Sequence, residues 1–99
     1  SKEAKQAEKA VKGLQTMIHR LESQIFKSKS QLEQIDKELA SGKIALEEYK
    51  FQKADIQKQI SEYQSKLEDK ADKLHTKEQE LNKLTQDLEK AWLCNTAFQ

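Results

Sequence analysis

Apolar residues recur along this chain at alternating spacings of three and four. From Ala4 and Ala7 the stripe runs through Val11, Leu14, Ile18, Leu21, Ile25, Ser28, Leu32, Ile35 and Leu39. Beyond Gly42 it resumes in the same phase at Leu46, Tyr49, Lys53, Ile56, Ile60, Tyr63 and Leu67. It then continues through Lys70, Leu74, Lys77, Leu81, Leu84, Leu88 and Ala91. Written as heptad a and d positions, these are 26 places, of which 18 carry Val, Ile, Leu or Tyr and three carry Ala. A seam sustained this long, with polar residues elsewhere, predicts a left-handed coiled coil.

Five seam places break the pattern: Ser28, Gly42, Lys53, Lys70 and Lys77. A lysine there can lay its methylenes along the seam and keep its ammonium in water. It weakens its layer and helps to fix register. In the first half, Ala10 and Met17 fall at g and widen the apolar stripe. Phe26 at b and Phe51 at f face outward from a simple pair of helices.

The segment "LASGKIALEEY", residues 39–49, decides between two architectures. If Gly42 takes a left-handed cap, the chain reverses and forms an antiparallel two-helix hairpin. Ser41 is a mediocre helix residue, and Glu47 and Glu48 suit the first turn of a following helix. The reversal pairs residues whose numbers sum to about 85. Leu39 then meets Leu46, Ile35 meets Tyr49, Ile25 meets Ile60, and Asp36 faces Lys50. Against a turn, Ala45 stands where a capping Ser, Thr, Asp or Asn is expected. The unbroken phase also suits one continuous helix in a parallel dimer, in which a mid-helix glycine costs only ~1 kcal/mol.

The stretch "GKIALEEYKFQKADI" resembles the hinge of the coiled-coil hairpin of large serine recombinases. There a Gly-x-Ile-Ser/Thr-x-Glu-Glu-Tyr/Phe segment joins two long helices. Gly42, Ile44, Glu47, Glu48 and Tyr49 match, and Ala45 departs at the capping Ser/Thr. The similarity covers residues 32–68 and includes none of that family's catalytic or zinc-ribbon regions. The same short pattern also looks like the small helical SHOCT module. The recombinase resemblance implies a hairpin arm that contacts other protomers' hairpins and controls synapsis.

Composition agrees with long helices. Of 99 residues, 35% are charged, none is proline, and only two are glycine. The balance of helix-favouring and heptad-placed residues leaves little to end a helix before residue 40. The expected organisation is one coiled-coil domain with helices over about 2–40 and 45–93, a turn at 41–44 and a tail at 94–99. A net charge of +1 gives no global pull toward nucleic acid or an anionic membrane. The densest basic run, "FKSKS" at 26–30, reads as a solvated face. No apolar run reaches the ~20 residues that span a bilayer. The lone Cys94 cannot form an internal disulfide and points to a reducing, cytoplasmic setting.

No chemistry-bearing constellation emerges. His19 and His75 both fall at b, far apart, and no metal-ligand spacing involves them. Cys94 has no neighbouring base, and there is no phosphate-binding glycine loop. No catalysis, cofactor, metal or small-molecule substrate is therefore expected. The expectation is a module for self-association or for docking another helical protein. Ser41, Gly42 and Ala45 would form the turn, and Ile44, Tyr49, Phe51, Phe26, Met17 and Trp92 would supply the contacts. In a hairpin, the first helix runs out opposite Leu84, so Leu88, Ala91, Trp92, Leu93, Cys94, Ala97 and Phe98 overhang. The alternatives are a parallel spacer, tether or filament rod, and a stand-alone helical adaptor.

Overall fold

The computed structural model describes residues 1–97, with side chains to Asn95. Two helices account for nearly all of it: α1, Lys2–Ala40, and α2, Leu46–Ala97. Residues 94–97, expected as a tail, are the last turn of α2, and Phe98 lies outside the described residues. The fold is an all-α helical hairpin, and the continuous-helix alternative fails at residue 42.

The reversal is built from backbone hydrogen bonds that only a left-handed residue allows. Gly42 has φ +77°. Its N–H donates to the Leu39 carbonyl at 3.1 Å, and the Lys43 N–H donates to the Glu38 carbonyl at 2.9 Å. This pair of bonds is a Schellman motif, which satisfies carbonyls that the helix end would otherwise leave open. The Ser41 hydroxyl also donates to the Glu38 carbonyl, at 3.1 Å. On the far side, the Ala45 carbonyl accepts the first bond of α2, from the Tyr49 N–H at 2.9 Å. Ala45 is thus the N-cap of α2, and its methyl leaves the first-turn N–H groups without a side-chain acceptor. The start of α1 is capped differently, because the Ser1 hydroxyl accepts from the Ala4 N–H at 3.1 Å.

The chain divides into two compact units. One, Ile18–Asp69, contains the turn. Leu21, Ile25, Ser28 and Ile35 of α1 and Ile60 of α2 are buried in it. Half-buried around them are Ile18, Leu32, Leu39, Tyr49, Lys53, Ile56, Tyr63 and Leu67. These are the a and d places of both helices, and they bury because a 3.5-residue period keeps one stripe facing the partner. Lys53 fits this seam by placing its ammonium 5.5 Å from the centre of the Tyr49 ring, within cation–π range.

The other unit comprises Ser1–Met17 and Lys70–Gln99. Ala7 is buried in it, and Ala4, Ala10, Val11, Leu14, Lys70, Leu74, Lys77, Leu81 and Leu84 are half-buried. Glu3, Gln6 and Ala7 share a shallow groove with Lys77, Glu80 and Leu84, which places the two ends of the chain antiparallel. The Lys77 ammonium leaves the seam to reach Glu80 Oε2 at 3.1 Å.

Candidate functional site

With the seam filled from within, the surface to account for is the apolar surface outside it. Phe26 and Phe51 are 72% and 74% exposed. Their heptad places, b and f, point away from the partner helix, and among the described residues no side chain covers them. Burying a phenylalanine stabilises by roughly 1.5–3 kcal/mol, and neither ring gains most of that within the chain. Met17, at the edge of the seam, is also exposed.

Around the turn, two expectations need correction. Ile44, expected to point outward, is half-buried, whereas Leu46, expected to meet Leu39 in the seam, is 53% exposed. Heptad phase assigns a direction only to a residue inside a helix. Ile44 stands in the 41–45 turn, just past the left-handed glycine. Leu46 is the first residue of α2, where the helix has only begun. Ile44 therefore leaves the outward set, and Leu46 joins it.

The expected pairing of Asp36 with Lys50 is replaced by another contact. The Tyr49 hydroxyl donates to Asp36 Oδ1 at 2.7 Å, joining α1 to α2 beside the turn. Lys50 instead lies 3.8 Å from Glu47 on its own helix, an exposed pair that contributes little. The numbers 36 and 49 satisfy the antiparallel register, so this bond was accessible to sequence reasoning. Charge alone favours Lys50 for Asp36, and a hydroxyl donor one position earlier takes the carboxylate instead. Tyr49, named as a contact residue, is half-buried and ties the two helices together.

At the far end of α2, Leu88, Trp92 and Leu93 are exposed and form one apolar stripe with Thr85 and Glu89. Cys94 is a free, exposed thiol. Among the described residues, no group of three His, Cys, Asp or Glu side chains could hold a metal ion. No described helix is long and apolar enough to cross a membrane. Among the described residues, no buried side-chain nitrogen or oxygen lacks a hydrogen-bond partner. The chain matches no family model, no curated protein and no solved structure.

Proposed function

We propose that this hairpin is a non-catalytic association module that works inside the cell, binding copies of itself or another helical protein through the outer faces of its turn-proximal half. The observation carrying this reading is the pair of phenylalanines, Phe26 and Phe51, left 72% and 74% exposed beside a seam that is already filled. Aromatic anchors carry a disproportionate share of interface energy, and large apolar side chains left exposed on a surface, here one on each helix, mark candidate contact sites. The resemblance at Gly42, Ile44, Glu47, Glu48 and Tyr49 supports a narrower form of the reading. In that form the hairpin is the regulatory arm of a large serine recombinase, and arm-to-arm contact controls synapsis. A parallel spacer rod would need one helix running through Gly42.

The test is sedimentation equilibrium on the wild type, Phe26→Ser and Phe51→Ser, with helicity followed by circular dichroism. The expected result is concentration-dependent association of the wild type that either substitution weakens, with helicity retained. A wild type that stays monomeric at every concentration would overturn self-association. Loss of helicity in the variants would place the two rings in the intramolecular core.

A further inference from the structure

Two charged columns lie on the outer faces of the helices, and neither serves the seam. On α1, Lys2, Lys5, Lys9 and Lys12 follow one another at spacings of three, four and three, which puts them on a single face. All four are exposed, and Lys2, Lys5 and Lys9 line a shallow depression with Ser1 and Gln6. Cations at a helix N-terminus oppose the helix dipole, so the first of them cost stability where they stand.

On α2, Glu48, Asp55 and Glu62 recur every seven residues, and Glu47 lies beside the first of them. Phe51 is three residues from Glu48 and four from Asp55, so the exposed ring sits within the acidic column, with Lys58 as a cation on the same face. Glu47 and Glu48 suit the start of α2 through the dipole, but Asp55 and Glu62 lie beyond its reach. Glu48 accepts a hydrogen bond from Gln52 at 2.9 Å and keeps its charge on the surface.

We infer that the occupant of the Phe51 face is a second copy of this chain, whose Lys5–Lys9–Lys12 column docks on Glu48, Phe51 and Asp55. This rests on the self-association reading above and names the surface that Phe51 meets. The charges are opposite and the periods agree. Lys5 and Lys12 are seven residues apart, as are Glu48 and Asp55, and seven residues of helix rise about 10.5 Å in both columns. Lys9 falls between its neighbours as Phe51 falls between the two carboxylates, so an ammonium meets the face of an aromatic ring. A nucleic-acid duplex would meet the same lysines. The near-neutral chain gives it no wider basic surface on which to extend, whereas a second copy supplies a matched column.

The experiment uses two charge-reversed chains, Lys5→Glu/Lys12→Glu and Glu48→Lys/Asp55→Lys, studied alone and mixed by sedimentation equilibrium. Circular dichroism confirms that each stays helical, since all four positions are exposed. Each variant alone should associate at least about tenfold more weakly than wild type, and the mixture should recover association, because complementary columns meet again. Raising salt from 0.1 to 1 M shortens the Debye length from about 10 Å to about 3 Å and should weaken the wild-type complex. The inference falls if the reversed chains associate like wild type, or if the mixture stays monomeric. It falls equally if Lys5→Glu/Lys12→Glu abolishes binding to a random-sequence DNA duplex and leaves self-association intact. If Phe51→Ser dissolves the complex while the charge reversals do not, the association reading stands and only the lysine column is excluded. A monomeric wild type would remove both.

Discussion

At Gly42 the backbone stands at φ +77°, with open space where a Cβ would project. Any cost of adding a methyl there is therefore conformational and not steric. Gly42→Ala should destabilise the hairpin by about 1–2 kcal/mol, the penalty of a left-handed L-residue. Gly13 also meets open space, but it lies inside α1. There the methyl removes unfolded-state freedom, and Gly13→Ala should stabilise by roughly 0.5–1 kcal/mol. Urea titrations followed by circular dichroism measure both, and the opposite signs identify one glycine as the turn and the other as incidental. Ala45 offers a third test. Because its carbonyl opens α2, Ala45→Ser or Ala45→Asp supplies the missing acceptor and should add about 0.5–2 kcal/mol. An unchanged melting temperature would mean that the first turn of α2 is satisfied in some other way. Tyr49→Phe removes the bond to Asp36 while keeping the ring, and should cost about 0.5–1.5 kcal/mol.

The two helices contribute unequally to the interior. Among the described residues six are buried; five of them, Ala7, Leu21, Ile25, Ser28 and Ile35, belong to α1, and α2 supplies Ile60. Part of the difference lies at Lys53, Lys70 and Lys77 of α2, which fill seam places with side chains that must keep their tips wet. Ile25→Ala and Ile60→Ala should each cost about 2 kcal/mol or more in thermal or urea unfolding, whereas Phe51→Ser should fall within about ±0.5 kcal/mol. That contrast separates the seam from the outer face. The seam was legible in the sequence because a heptad is a long-range periodic signal that local accidents cannot erase. The positions of Ile44 and Leu46 were not, because a turn interrupts the helix on which the phase argument depends. The cap was half legible: Gly42 announced the left-handed residue, but its hydrogen bonds to the Glu38 and Leu39 carbonyls required coordinates. The lysine column of α1 is hard to read from the sequence because its members are dispersed at three- and four-residue spacings. A search for dense basic runs stops instead at Lys27 and Lys29.

For the chain as a whole, the near balance of 18 basic and 17 acidic residues conceals two local columns, Lys2–Lys5–Lys9–Lys12 on α1 and Glu48–Asp55–Glu62 on α2. A uniform mixture would make association indifferent to salt, whereas separated columns make it salt-sensitive and specific. All of this presupposes that each chain closes on itself, which frees its outer faces for partners. Spin labels at the exposed positions Lys29 and Gln57 test this directly, with labelled chain diluted into excess unlabelled chain so that only distances within one molecule are read. The hairpin places these sites on adjacent helices whose axes lie about 8–10 Å apart, so the label distance should be no more than about 20–25 Å. A helix continuing through Gly42 would separate them by about 42 Å, and a distance distribution centred there would contradict the hairpin.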